Sequence, residues 1–358
     1  MPKIKVQLNI YGKSNEEYYL DHLSQIVTGF VMLEKSKRID FRINFFAEKK
    51  TCPYPYKRII EAEINGLKVL FDMEDYSNWI CKLQFWNSQL DQFDFVFKRS
   101  YSETDNKILS ENFQSKIYPL GFNYHVTVRN NFNYKNKGMI QLVKQIFKDV
   151  RKINYPSYFE SRVNYKKSKE DLSILFFTRL WDDGWMSEEE KQYINETRIS
   201  IVRNLRKEFP QNCNINNSVG GAGINKSPIS ETICKDIILP SKYTDRISYI
   251  KRMKNSDICI GTTGLSKSIG WKTGEYVAAS RCIINEKFNY QVPGNFLEGK
   301  NYFSFDTVDE CLQIINKLFE NPELVYEAKK QNELYYHKYL RPDRLIQNVI
   351  NIVIGESK

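Results

Sequence analysis

No C-x2-C pair occurs anywhere in this chain. Its seven cysteines, Cys52, Cys81, Cys213, Cys234, Cys259, Cys282 and Cys311, are odd in number and far apart. That pattern argues against a disulfide framework and against a zinc site of ordinary spacing. Cys259 and Cys282 lie inside apolar runs, where a thiol serves as a small buried hydrophobe, a use that suits a reducing cytoplasm. No apolar run approaches the ~20 residues that span a bilayer, so any membrane contact is expected to be peripheral. The opening residues, MPKIKVQLNIYG, read as a strand rather than as a basic and then apolar signal peptide. Also missing is the long basic stripe interleaved with aromatics that a nucleic-acid groove requires. The segments EKSKRIDFR, VKQIFKDVRKINY and NYKKSKED hold a few cations each, the pattern of solvated helix faces. No repeat of fixed period is present.

What remains is the composition of a folded protein: 41% hydrophobic, 27% charged and an aromatic share of 14%, which together exclude a wholly disordered chain. At 358 residues, two domains of about 150 residues and a cleft between them are the natural expectation. Lys and Arg outnumber Asp and Glu by 53 to 43, a formal charge of +10 that favours anionic partners.

Short apolar runs alternate with longer amphipathic segments, the α/β signature. Strands are expected at residues 4–12, 42–47, 67–74, 94–100 and 116–123, then at 172–181, 236–241, 257–263, 281–286 and 302–306. The stretch GMIQLVKQIFKDVRK, 138–152, has helical spacing, and the polar, Pro-broken run after it reads as a linker. The segment 210–230, PQNCNINNSVGGAGINKSPIS, is a loop by composition.

The stretch DICIGTTGLSKSIGWKTGEYVAASRCIIN parses as strand, glycine-containing turn, helix and strand. In such units ligands gather at the carboxyl ends of the strands. Gly261 and Gly264 permit a tight turn, backbone N–H groups around Leu265–Ser268 can face a phosphate, and Lys267 can add a cation. Trp271 and Glu275 share a face by i, i+4 spacing, and a carboxylate so placed can accept both hydroxyls of a ribose. The same spacing equally fits a helix packed on a sheet, with the glycines there for close approach and Glu275 on a solvated face.

This stretch, continued by VPGNFLEGKNYFSFDTVDECLQIINKLFENPELVYEAKKQNELYYHKYLRP, resembles the C-terminal domain of GT-B-fold glycosyltransferases, in their group-1-like and spore-protein CgeB-like branch. The resemblance covers about 100 residues, Ser256 to Pro342. It implies two Rossmann-like domains facing a cleft: an acceptor-binding domain over 1–160, a nucleotide-sugar-binding domain over 168–340, and a C-terminal helix, 341–358, crossing back to the first domain. It places Glu275 where the second glutamate of the group's Glu-x7-Glu motif binds the ribose, and Lys267 where the first would stand, so retention or inversion is left open. Thr263, Gly264, Leu265 and Ser266 match the loop that approaches the donor phosphates. Arg179 stands near the place of the cation that neutralises the departing diphosphate, and Arg246 is a second candidate. Arg179 fits equally as a strand-end residue pairing with Asp182 or Asp183.

For the first domain, Asp72, Glu74, Asp75 and His125 are candidate bases toward an acceptor hydroxyl, although acidic residues after strands commonly cap helices. Lys98, Arg99, Tyr101, Asn123 and Tyr124 also fall at strand ends. No Asp-x-Asp ends an apolar strand; Asp182–Asp183 is adjacent and DMED has the wrong spacing. The expectation is thus a metal-independent glycosyltransferase with no cofactor beyond its nucleotide-sugar co-substrate. Its acceptor would be a glycan or glycolipid of bacterial surface polysaccharide synthesis, and its place the cytoplasm or the inner face of the membrane, without nucleic acid. The alternatives are a catalytically degenerate nucleotide-binding or scaffolding protein, or an epimerase-type sugar-nucleotide enzyme.

Overall fold

A computed structural model describes the chain except residues 1–2, 12–16, 47–53, 55–57, 78–82, 130, 132–151, 164–167, 183–186, 218 and 356–358. The helix expected over 138–152 and Asp183 therefore lie, wholly or nearly so, outside the described residues. The chain divides into two compact α/β units. One comprises Met1–Tyr158, Asn289–Gly294 and His337–Lys358; the other comprises Phe159–Phe288 and Asn295–Tyr336.

The first unit holds β1 (Ile4–Tyr11), β2 (Ile39–Phe46), β3 (Ile59–Ile64), β4 (Leu67–Asp72), β5 (Phe95–Lys98) and β6 (Ile117–Pro119) in the order β2-β1-β3-β4-β5-β6. In β1 the residues Val6, Leu8 and Ile10 are buried while Lys5 and Gln7 are exposed, the period-two pattern of a half-buried strand. Helix α1 (Glu17–Lys35) covers that buried face with Leu23, Ile26, Val27, Phe30 and Val31, a helical stripe at three- and four-residue spacing. The last helix of the chain, Pro342–Val353, completes the same core with Leu345, Ile346, Val349, Ile350 and Val353. It approaches α1 so closely that a side-chain carbon at Gly29 would collide with the Pro342 carbonyl and with Ile346. On the other side of the sheet, Trp86 from α2 (Leu83–Gln89) joins Tyr54, Leu70, Leu90, Phe93 and Val96.

Strand β3 is absent from the expected series. It is antiparallel to both neighbours, and a two-residue loop, Asn65-Gly66, joins it to β4 in a hairpin closed by the Ile64–Leu67 pair. Both loop residues have positive φ, 51° and 89°, as the favoured hairpin turn demands.

The second unit carries β7 (Ile174–Thr178), β8 (Gly221–Asn225), β9 (Ile238–Leu239), β10 (Ile258–Gly261), β11 (Cys282–Glu286) and β12 (Tyr302–Phe305). All of its pairings are parallel, in the order β12-β11-β10-β7-β8-β9. Helix α3 (Glu188–Glu208) packs Ile201, Val202 and Leu205 into its core, and Cys259 and Cys282 are fully buried in their strands. The segment 210–230 is not the continuous loop its composition suggests, because β8 lies within it and pairs on both sides. The glycines that disguise it are needed for packing. A side-chain carbon at Gly221 would meet the Phe177 ring at 2.7 Å, and one at Gly223 would meet Leu239 at 2.5 Å. Among the described residues no helix is long and apolar enough to cross a membrane.

Candidate functional site

Read from the far edge, the second sheet runs β9-β8-β7-β10-β11-β12. The chain enters at β7, builds outward to β9, returns beside β7 with β10 and builds outward the other way. Such a reversal opens a crevice outside the carboxyl ends of the two central strands, where doubly wound sheets take ligands. Here the ladder between β7 and β10 consists of Ile174–Ile258 and Leu175–Cys259 only, so Thr178 and Gly261 run on beyond it.

One side chain ties those two ends together. Arg198 of α3 is 6% exposed, and it donates to the carbonyl of Arg179 after β7 at 2.7 Å, to Thr262 Oγ1 after β10 at 3.0 Å, and to the Thr263 carbonyl at 3.1 Å. Burial pushes its guanidinium down to about 10, Glu286 opposes that shift and Arg179 adds to it. Glu286, at the carboxyl end of β11, holds the same turn from the other side. It accepts the Thr263 N–H at 2.6 Å and the Thr263 hydroxyl at 2.9 Å. The turn is thus fixed by a buried cation and a buried anion from different elements, which is what pre-organises a loop for a ligand.

Of the residues expected here, Thr263 and Leu265 are buried and Ser266 and Lys267 are exposed, with the half-buried Gly264 between. Arg179 is exposed and stacks its guanidinium over the Trp181 ring at 3.9 Å, a cation–π contact. Trp271 opens α5 (Trp271–Ala278), and Glu275 one turn on is buried. The Glu275 carboxylate accepts from Arg246 of α4 (Arg246–Asn255) at 2.6 Å and from the Tyr249 hydroxyl at 2.9 Å. It is therefore not on a solvated face, and the structure joins two separately expected residues, Glu275 and Arg246, in one ion pair. Each carboxylate oxygen retains a second lone pair for a further donor.

Lys272, on the same first turn, was not singled out from the sequence. Its ammonium donates to the Phe177 carbonyl of β7 and lies 5.4 Å from the centre of the Tyr249 ring. Part of the residue is exposed, yet burial pushes the amine down to about 7; Glu275 pulls it up, and Arg198, Arg179 and Arg246 press it down. Arg198 could have been found: Ile194, Arg198, Ile201, Val202 and Leu205 form one inward stripe of α3, with a cation at a core position. Glu286 carried a weaker signal, a charge closing the apolar run RCIINE.

In the first unit, Asp72 ends β4 with Glu74 and Asp75 just after it, Lys98 ends β5 with Arg99 next, and Arg58 precedes β3, so all six sit at one end of these strands. Asp72 and Lys98 form a fully buried ion pair of 2.6 Å, and the other Asp72 oxygen accepts the Glu74 N–H at 3.0 Å. Asp75 is paired with both Arg99 and Arg58. Burial alone would raise its carboxyl, but the two guanidinium groups outweigh it and hold the group below the usual range. Glu74 accepts from the Arg58 backbone N–H at 3.2 Å and from its guanidinium at 3.4 Å, but burial, with Asp72 and Asp75 adding to it, pushes the carboxyl up to about 7. His125 lies 3.5 Å from Asp21. His22 is buried next to it; burial and then the charges of Arg58 and Arg99 push its imidazole down to about 2. Asn123 donates to the His22 carbonyl at 3.0 Å, and Tyr124 is fully buried.

Neither a protein-family model nor a curated protein matches this chain. Among solved structures it is similar to Staphylococcus aureus MnaA in a co-structure with UDP, at 12% identity and a TM-score of 0.43, over 99% of this chain and 97% of that one. It is similar also to Anabaena Alr3699/HepE in complex with UDP, at 9% identity and a TM-score of 0.38, over 97% and 99%. A third likeness is to the C-terminal domain of a glycosyl transferase group 1 family protein, LpcC, from Francisella tularensis, at 15% identity and a TM-score of 0.32, over 51% and 97%.

Proposed function

We propose that the second unit binds the nucleotide of a nucleotide-sugar and that the chain is a glycosyltransferase. The observation that carries this reading is the convergence of Arg179, Arg198 and Lys272 on the carboxyl ends of β7 and β10, at the reversal point of a parallel sheet. Polyanionic ligands with an organic body fit such a place, since cations and turn N–H groups meet the phosphates and the crevice takes the rest. The resemblance over Ser256–Pro342 narrows the ligand to a sugar donor.

In this reading Arg179, the exposed cation of the set, moves from the Trp181 face to the departing diphosphate. It offsets charge that develops as the bond to the sugar breaks. Glu275, oriented by Arg246 and Tyr249, accepts ribose hydroxyls with its remaining lone pairs. In the first unit Glu74 is the proton acceptor for the attacking hydroxyl, because a base works best when its pKa lies near the working pH. Asp75 is held below the usual range by two arginines, which leaves it a weak base, and the Asp72 carboxylate is occupied by the Lys98 ammonium. A glycan or glycolipid acceptor, a role in bacterial surface polysaccharide, independence from metal and a place at the inner membrane face belong to the same proposal, on the resemblance and the basic balance.

The test is a thermal-shift panel of UDP, GDP, CDP, CMP, ADP and dTDP, with and without magnesium. One nucleotide is expected to stabilise the protein selectively, by about 2.7 kcal/mol at a hundredfold excess over Kd, with no need of magnesium. Arg179→Ala should then lower turnover more than donor affinity. No shift with any nucleotide would remove the reading. A second reading, nucleotide binding without chemistry, is favoured by Lys267 in place of the first motif glutamate and by the burial of Glu275 against Arg246 and Tyr249. Release of sugar from the donor by purified protein excludes it.

A further inference from the structure

The turn after β10 holds two successive non-glycine residues in the left-handed region, Ser266 at φ 53° and Lys267 at φ 55°. Side chains resist that conformation, at a cost of about 1 kcal/mol or more per residue. A backbone N–H that faces solvent at such a turn is open to an anionic acceptor. An anion already takes the Ser266 N–H. The carboxylate of Glu190, from the first turn of α3, accepts the Ser266 N–H at 2.7 Å.

Two acidic residues thus touch one turn, and they differ in how firmly they are held. Glu286 is 7% exposed and takes both the N–H and the hydroxyl of Thr263, so its removal would strand buried donors. Glu190 makes its contact at an exposed site and is only half-buried. It also belongs to a helix start, where a carboxylate is favoured even with no partner, so swinging it into solvent costs little. Glu286 is part of the frame of the turn, and Glu190 is an occupant that a stronger oxyanion can replace.

We infer that Glu190 is a built-in competitor for the anion site at Ser266: a phosphate-bearing ligand takes the Ser266 N–H from it. The inference rests on the reading of the second unit as a nucleotide site. Displacement exchanges a carboxylate for a phosphoryl oxygen, a better acceptor of higher charge, with the exposed Lys267 beside it. Glu190 therefore lowers the affinity for every ligand that carries phosphate at this position and leaves the affinity for an uncharged nucleoside alone.

The experiment is titration calorimetry of the full chain with inorganic pyrophosphate, with the nucleoside diphosphate that the thermal panel selects, and with its nucleoside. Wild type, Glu190→Gln and Glu189→Gln are compared. Glu189 lies exposed in the same helix turn, so its variant loses the same charge without losing a contact to Ser266. Glu190→Gln should bind pyrophosphate and the diphosphate more tightly by on the order of tenfold, Glu189→Gln by far less, and the nucleoside should bind all three alike. Equal gains in the two variants would reduce the effect to general charge and overturn the inference. So would unchanged diphosphate affinity in Glu190→Gln, and in both cases the nucleotide site itself would stand. Absence of pyrophosphate and nucleotide binding from all three proteins would overturn the site reading and the inference together.

Discussion

Glu74→Gln is expected to lower sugar transfer by on the order of 10² to 10⁴-fold while leaving nucleotide affinity within about twofold, because the amide keeps the shape of the side chain and cannot take a proton. The pH profile supplies a second readout. With Glu74 at about 7, the wild-type rate should rise as pH climbs through that value and the carboxylate appears, and the residual rate of the variant should lack this limb. Stability runs the opposite way. The folded pKa is raised above the ordinary carboxylate value of 4.5, so the native state binds the extra proton between about 4.5 and 7. The contribution of Glu74 is fully present below about 4.5 and is lost as pH rises through about 7, and the loss amounts to at most about 3 kcal/mol. His22 has the opposite sign: its depressed pKa contributes stability above 6.5 that is lost as pH falls toward about 2. Between about 4.5 and 6.5 the two slopes oppose each other, and above that window Glu74 acts without His22. A Glu74→Gln protein with unchanged turnover and an unchanged profile would move the base elsewhere, with His125 the next candidate.

The largest loss of stability is expected from Lys98→Met. Lys98 and Asp72 are each about 1% exposed at the side chain, and removing the cation leaves a carboxylate buried without its counter-ion. Such a break costs about 3–5 kcal/mol, against ~0–1 kcal/mol for an exposed pair. The double variant Asp72→Leu/Lys98→Met should recover most of that, because two apolar side chains in a dry site pack without any desolvation penalty. A residue of about 1 kcal/mol should persist, since the Glu74 N–H loses its acceptor at Asp72. Hydrogen exchange resolved to β4 and β5 is the suitable measurement, because a chain of two units does not melt as one transition. If the single variant loses under about 1 kcal/mol there, water reaches the pair and the site is wetter than its burial indicates.

Much of the second unit was legible in the sequence because its strands are short apolar runs bounded by turn residues, as in DICIG and RCIINE. β8 was not legible, since a strand that must let Phe177 and Leu239 approach its backbone is built from glycine and offers no apolar alternation. β3 carries a legible signal, since Asn65-Gly66 between two alternating runs is the strongest short-range mark of a hairpin. In the candidate site, the turn and Glu275 can be named from the sequence, but no spacing rule shows that Arg246, 29 positions away, reaches that carboxylate. Glu190 was hidden for a related reason. Within EEEKQYINE it looks like one of several solvated acids at a helix start, and only the path of a turn 76 residues on makes it different.

The helix Pro342–Val353 has a consequence for how the chain is made. The core under α1 includes five of its side chains, yet it leaves the ribosome only after all of β1 to β12. The first unit to be synthesised is therefore the last to be finished. Throughout elongation α1 presents an apolar stripe around Gly29 with nothing on it, while the second unit has all its strands by Phe305 and can close earlier. Nascent chains stalled so that only residues up to Arg341 are exposed should be cut by protease within the first unit and spared in the second. Letting Pro342–Val353 emerge should protect both.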